Sequence, residues 1–112
     1  MRPIFLIAIT ALVAACASPG ELLERDPQLS FDTKKPADVY AACLSEAWSR
    51  ITGNVSFIPV TSGYRVILPH PSAGADAVAE IRRTETGAKV RYVERLPSMT
   101  GAWIQDAVVG CK

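Results

Sequence analysis

The apolar and polar positions of this chain change period several times, and each change predicts an element. An almost unbroken apolar run extends from Pro3 to Ala15. Over residues 36–52 the apolar side chains recur at helical spacing, and Gly53-Asn54 supplies a left-handed stop. A second helix is predicted over residues 98–110, with Ser98 as its N-cap.

Between these helices the pattern changes to that of strands. Four segments rich in β-branched and aromatic residues predict strands over 55–60, 64–68, 77–84 and 89–95. Pro59 lacks an N–H and therefore places the first strand at a sheet edge or at a bulge. Pro69 to Gly74 is predicted to be the most irregular exposed loop of the domain.

The last two strands are predicted to form a hairpin whose register depends on its turn. With Thr86-Gly87 as a two-residue turn, Ile81 lies opposite Tyr92 on one side of the sheet. Arg82 then lies opposite Arg91 on the other side, where like charges in direct opposition destabilise the pair.

The order of elements predicts an α+β domain of two layers: helix, four-stranded antiparallel meander, helix. Both helices cover one face of the sheet and leave the other face partly wet. This domain is predicted to span residues 36–112. Residues 16–35, with their prolines, glycine and charges, are interpreted as a tether with at most one helical turn around 21–25.

The N-terminus has the features of a secretion signal. Arg2 provides the positive start, and the apolar segment that follows is too short to cross a hydrocarbon core of about 30 Å comfortably. The segment ends in Val13-Ala14-Ala15-Cys16. This sequence resembles the lipobox of bacterial lipoproteins, in which an aliphatic residue, a small residue and Gly, Ala or Ser precede an obligatory cysteine.

The resemblance implies that residues 1–15 are removed and that Cys16 receives diacylglycerol on its thiol and an acyl chain on its new amino terminus. Several acyl chains give stable membrane attachment, whereas a single chain attaches only marginally. The second mature residue is Ala17 rather than aspartate, which favours the outer membrane and its periplasmic face over inner-membrane retention. The alternatives are an ordinary secretory signal with an unmodified Cys16, and a transmembrane anchor.

Length and charge restrict the classes of partner. Removal of 15 residues from the 112 leaves 97, enough for one small domain. Without Arg2 the mature chain has 11 basic and 11 acidic side chains, so the electrostatic basis for a nucleic-acid partner is lacking. The membrane, through the anchor, and an envelope protein or cell-wall component are the expected partners.

Two cysteines remain once Cys16 is assigned to the anchor. Cys43 and Cys111 both lie on predicted buried helix faces in a compartment that favours oxidation, so we expect a disulfide between the two helices. Two buried free thiols are the alternative. A metal site is not expected, since one histidine and two distant cysteines do not make a ligand set.

Arginines on the predicted strands are the candidate binding residues. Arg65, Arg82 and Arg91 are expected to bind phosphates, carboxylates or an acidic protein loop, because a guanidinium matches such anions. The alternative is a solvated face in which glutamates neutralise them. Trp48 and Trp103 are either interface anchors or buried fillers between the helices, with burial favoured. His70, in the proline loop, is an exposed candidate contact.

These features predict a lipid-anchored, non-catalytic binding module of the outer membrane that needs no cofactor and contributes to envelope assembly or maintenance. A lipoprotein inhibitor that inserts the loop around His70 into a lytic enzyme is one alternative. An accessory cell-wall enzyme is a weaker one, because no nucleophile motif is present and the carboxylates of the strands lie beside arginines.

Overall fold

The domain is built on a five-stranded antiparallel sheet. The computed structural model of the chain describes residues 18–72, 74–97 and 101–112. In chain order the elements are α1 (Pro19–Leu23), β1 (Leu29–Thr33), α2 (Ala37–Ser49), β2 (Ser56–Val60), β3 (Gly63–His70), β4 (Gly74–Thr84), β5 (Gly87–Glu94) and α3 (Ala102–Gly110). The strand order across the sheet is β1-β5-β4-β3-β2.

The α+β class and the meander of β2 to β5 are as predicted, but the predicted count of four strands is wrong. β1 is the fifth strand, and it pairs with β5 from Leu29 opposite Tyr92 to Thr33 opposite Ala88. It lies in the segment interpreted as a tether. Leu29 and Phe31 pack against the core from this strand, which explains why the segment is more apolar than a spacer requires.

The main core lies between the sheet and the helices α2 and α3. Tyr40, Leu44 and Trp48 of α2 lie in it together with Ile104 and Val108 of α3. Alternate strand residues complete it: Val66 and Leu68, Ala77, Ala79 and Ile81, and Ala88, Val90 and Tyr92. Both predicted helices therefore cover the same face of the sheet, as expected from the element order.

The boundaries of the two helices follow local backbone chemistry. α2 begins after Pro36 and is followed by a turn in which Asn54 adopts φ 65°, which confirms the left-handed stop. α3 begins at Ala102 with Gly101 as its N-cap and no side-chain cap. The predicted cap, Ser98, lies outside the described residues.

A smaller helix covers part of the other face of the sheet. Ser18 caps α1 by accepting a hydrogen bond from the Glu21 backbone N–H at 3.3 Å. Leu22 is completely buried against Ile67, Val78 and Val93 in a second, smaller cluster. The chain from residue 18 onward is thus packed on the domain.

The prediction of a loop from Pro69 to Gly74 is wrong in its length. β3 continues to His70 and β4 begins at Gly74, so the connection is a short hairpin turn. A shift of register between Leu68 and Pro69 accommodates the proline, which cannot donate a ladder hydrogen bond.

Pro59 lies on β2, which is an edge strand, as its missing N–H predicts. Val60 and Gly63 flank a two-residue turn and form a hydrogen-bonded pair, so alternation places Pro59 where its backbone faces away from β3. The proline removes a donor from the free edge, which limits pairing with another strand.

The predicted disulfide joins the two helices. Cys43 and Cys111 are linked with a Cα–Cα distance of 5.8 Å and 68 residues of separation. Two side chains of α2 add hydrogen bonds to the backbone of α3. The Tyr40 hydroxyl donates to the Val108 carbonyl at 2.6 Å, and Trp48 Nε1 donates to the Ile104 carbonyl at 3.2 Å.

Candidate functional site: the open face of the sheet

The sheet face opposite α2 and α3 carries a group of charged side chains next to α1. We call this surface the open face; its charged strand residues are Asp32, Arg65, Asp76, Glu80, Arg82, Lys89 and Arg91. Their sequence neighbours, such as Val66, Ile81 and Val90, point into the main core. Because successive strand side chains alternate between faces, these charged residues point to the other side.

The predicted opposition of Arg82 and Arg91 is wrong, although both residues lie on the same side of the sheet, as expected. The hairpin turn consists of Glu85 and Thr86, because Thr84 pairs with Gly87. This register places Lys89 opposite Arg82 and Glu80 opposite Arg91. It also places Val90, rather than Tyr92, opposite Ile81.

Gly87 explains why the turn lies one residue earlier than predicted. A Cβ atom at Gly87 would lie 2.1 Å from the Thr33 carbonyl oxygen and 2.8 Å from Lys34 Cα. The end of β1 therefore passes so close to this position that only glycine fits. Gly87 thus allows the backbone at the end of β1 to pass close by, and it is not one of the two turn residues.

Arg91 is held by the protein itself. Its guanidinium donates hydrogen bonds to the carbonyl oxygens of Leu23 and Arg25, at the end of α1. The Leu23 carbonyl is among the groups that a helix end leaves without an intrahelical partner, and Arg25 lies just beyond the C-cap. Arg91 therefore attaches α1 to the sheet and is not a free anion ligand, in contrast to its predicted role.

Arg65 lies close to a carboxylate. Its guanidinium is 3.7 Å from Glu80, and both side chains are about one-third exposed. Farther along the same face, Arg95 forms a closer pair with Asp76, at 2.8 Å. The predicted alternative of neutralised arginines thus applies to Arg65 and to Arg95.

Arg82 and Lys89 differ from these arginines in their outer cross-strand neighbours, which are Gly63 on β3 for Arg82 and Asp32 on β1 for Lys89. They lie directly opposite each other on β4 and β5, both side chains are exposed, and neither forms an ion pair with any described residue. With Glu80 and Arg91 they line a small cleft of about 50 Å³. Two like charges in direct opposition are destabilising, by roughly 0.2–1 kcal/mol, and a bound anion relieves this repulsion.

Lys89 is the member of this site that the sequence analysis did not select. The sequence allowed this residue to be found, since a two-residue turn at Glu85-Thr86 places Lys89 directly opposite Arg82. Selecting that turn required knowledge that β1 passes next to Gly87, which no local pattern of the hairpin reveals.

The two tryptophans have different environments. Trp48 is completely buried, and its ring centroid is 6.2 Å from that of Tyr92. It is therefore not available as an interface anchor in this fold, and the burial favoured by the sequence holds for it. Trp103 is partly buried and packs against the main core.

His70 lies at the end of β3 and is partly buried. Its Nδ1 accepts a hydrogen bond from the Ser72 backbone N–H at 3.1 Å, within the hairpin turn. A groove of about 210 Å³ adjoins it and is lined also by Asn54 and Pro69. The histidine thus supports the turn, and no carboxylate or thiol lines this groove.

A carboxylate is buried on the helix-covered side of the sheet. Glu94 is 1% exposed, and its Oε1 accepts hydrogen bonds from the Tyr92 hydroxyl and from Gln105 Nε2, each at 2.8 Å. Its second oxygen, Oε2, has no hydrogen-bond partner. Burial, the hydrogen bond to Glu94 and the charge of that carboxylate raise the pKa of Tyr92.

The described part of the chain holds no candidate for a metal site or a membrane span. Residues 18–72, 74–97 and 101–112 contain no cluster of three side chains suited to hold a metal ion. None of the helices in these ranges has the length and apolar character needed to span a bilayer. Cys16 and the signal segment lie outside the described residues, so their predicted roles stay predictions.

Comparison with known proteins adds no relative. No protein-family model, no curated protein and no solved structure matches this chain.

Proposed function

We propose that this chain is a lipid-anchored binding module on the periplasmic face of an outer membrane and that it acts without catalysis. Its anchor is Cys16, and its binding surface is the open face. The module contributes to envelope assembly or maintenance by binding anionic groups of an envelope component.

One observation carries the choice of surface. Arg82 and Lys89 are exposed, lie directly opposite each other on β4 and β5, and form no ion pair with a described residue, although Asp32 lies opposite Lys89 on β1. A guanidinium and an ammonium on directly opposed strand residues match a phosphate or carboxylate, which accepts hydrogen bonds from both.

The other arginines of the open face are engaged within the protein and do not add free cations to this pair. Arg91 is occupied by the end of α1, and Arg65 shares Glu80. The rigid sheet holds the Arg82 and Lys89 backbones in register, so little ordering is needed when an anion binds.

The inhibitor alternative depends on the turn around His70. This turn is a short hairpin in which Pro71 and Ser72 are exposed, and its backbone is held by the His70 ring. It offers fewer side chains to a cleft than the extended loop expected from sequence. The open face therefore supports binding better than the turn supports inhibition.

The proposal is tested by mild crosslinking of the full-length protein in its native envelope, followed by identification of the crosslinked molecules. We expect an adduct that is lost in the Arg82→Glu, Lys89→Glu variant. The matched control is Arg50→Glu, Lys112→Glu, which changes the net charge equally at exposed positions outside the open face. An adduct that survives the first variant, or that is lost equally in the control, contradicts the proposed surface.

A further inference from the structure

We infer that the open face is turned toward the lipid bilayer and that Arg82 and Lys89 contact the phosphates of phospholipid headgroups. This inference rests on the proposed anchor at Cys16 and names the partner of the proposed binding surface. It follows from the length of chain between the anchor and α1, from the side of the sheet on which α1 lies, and from the charges on that side.

The chain leaves little distance between the anchor and the domain. Ser18 is two positions after Cys16, and an extended chain spans at most about 7 Å over two positions. Ser18 caps α1, whose five residues extend only about 7.5 Å. Leu22, in the same helix, is buried on the sheet. Acyl chains on Cys16 therefore bring α1 and the surface below it close to the bilayer.

The packing of α1 determines which side of the sheet faces the bilayer. This helix contacts β4 and β5 on the open face, whereas α2 and α3 lie on the opposite face. The bonds from Arg91 to the carbonyls of Leu23 and Arg25 hold α1 there. With the anchor on the α1 side, the sheet lies between the bilayer and the pair of helices α2 and α3.

The charges of this side fit a headgroup layer that contains both phosphate and ammonium groups. Arg82 and Lys89 supply exposed cations without an ion-pair partner for phosphates, and α1 supplies exposed carboxylates at Glu21 and, at its C-cap, Glu24 for ammonium groups. Ile58 is 42% exposed and shares the open face with Arg65, its partner on β3. We therefore expect the contact to form with zwitterionic phospholipids and not only with anionic ones.

The experiment uses the full-length acylated protein in vesicles of phosphatidylethanolamine and phosphatidylcholine. A fluorophore is attached at position 30 through Ser30→Cys, an exposed site on the open-face side of β1. A second preparation carries it at position 42 through Ala42→Cys, an exposed site on α2. Quenching by a headgroup nitroxide lipid is compared with quenching by iodide in the water.

We expect the probe at position 30 to be quenched by the nitroxide lipid and shielded from iodide, and the probe at position 42 to behave oppositely. The Arg82→Glu, Lys89→Glu variant is expected to lower the ratio of lipid to iodide quenching at position 30, because carboxylates replace the two groups that bind the headgroup phosphates. Arg50→Glu, Lys112→Glu is expected to leave it unchanged. Thermal unfolding of both variants checks that the fold is retained.

Equal iodide quenching of the two probes overturns the inferred orientation. A mass spectrum of the same preparation separates this failure from failure of the anchor. If Cys16 carries acyl chains and the probe at position 30 is exposed to water, the orientation is wrong and the proposed anchor stands. If Cys16 carries none, the anchor is wrong, and the orientation that depends on it is wrong as well.

Discussion

At the scale of single residues, the core contains two tyrosine hydroxyls with specific acceptors. The Tyr40 hydroxyl donates to the Val108 carbonyl, and the Tyr92 hydroxyl donates to the Glu94 carboxylate. Both tyrosines are completely buried. An unpaired buried hydroxyl or carboxylate costs free energy, so these pairs fix which residues face each other in the core.

Stability is predicted to fall at high pH because of these tyrosines. Burial raises the pKa of Tyr40, and burial together with Glu94 raises that of Tyr92 above the ordinary value of about 10. The folded chain keeps both protons where the unfolded chain loses them. The contribution of the two tyrosines to the free energy of unfolding is therefore complete below pH about 10. Above that pH the free energy of unfolding falls by about 1.4 kcal/mol per pH unit for each tyrosine.

Urea unfolding of the oxidised protein between pH 8 and about pH 11 measures this slope. Tyr40→Phe and Tyr92→Phe are each expected to remove about half of it, whatever they do to the stability at neutral pH. A free energy of unfolding that stays constant across this range contradicts the assignment of the two raised pKa values.

At the scale of elements, Arg91 joins β5 to the end of α1. Its guanidinium binds the carbonyl of Leu23, the last residue of α1, and the carbonyl of Arg25, in the segment that leads to β1. Arg25 returns a hydrogen bond from its guanidinium to the Arg95 carbonyl at 3.0 Å. The N-terminal segment is thus held to the sheet by polar contacts in addition to the burial of Leu22.

Arg91→Met is predicted to lower the free energy of unfolding by about 1–3 kcal/mol and to loosen α1, because it leaves the carbonyls of Leu23 and Arg25 without a protein donor. Hydrogen exchange over residues 19–28 and urea unfolding measure the two effects. Arg82→Met is the matched control on the same face and is expected to change stability by less than about 0.5 kcal/mol. Equal losses in the two variants contradict the assigned role of Arg91.

The disulfide is the covalent link between α2 and α3. It closes a loop of 68 residues, and its removal through Cys43→Ala, Cys111→Ala is predicted to cost about 4 kcal/mol on the chain-entropy model. Urea unfolding of the wild-type chain with and without dithiothreitol measures this loss. The reductant is expected to have no effect on the double variant, and an equal effect on both proteins contradicts the account.

The elements that could be predicted from sequence have long or unambiguous signals. α2 has apolar positions at helical spacing over 13 residues, and the disulfide followed once Cys16 was assigned to the anchor. β1 could not be predicted, because its five residues lie between prolines and charges and are stabilised by β5 rather than by local preference. Pairing supplied by a distant strand is not visible in a short window of sequence.

The candidate site was predictable only in part for the same reason. The side of the sheet on which Arg82 and Arg91 lie follows from alternation alone, and this prediction is confirmed. The partner of each residue depends on register, and the register depends on the contact between Gly87 and Thr33. Arg91 therefore has a structural role, and Lys89 takes the place proposed for it.

At the scale of the whole molecule, the described chain leaves no free spacer between residue 18 and the domain. α1 covers part of the open face, β1 extends the sheet, and α2 and α3 close the other side. An anchor at Cys16 then holds the whole domain at the membrane surface. Anchor and binding surface lie on one side of the molecule in the proposed account.

The anchor at Cys16, on which both proposals rest, is tested by the mass of the mature chain from the producing cell and by its distribution between membrane and soluble fractions. We expect a chain of 97 residues that begins at Cys16, carries diacylglycerol and an acyl chain, and fractionates with the outer membrane. Cys16→Ser is expected to leave the domain folded, to abolish its acylation and to move it to the soluble fraction. A mature chain with an unmodified Cys16, soluble in the periplasm, contradicts the account.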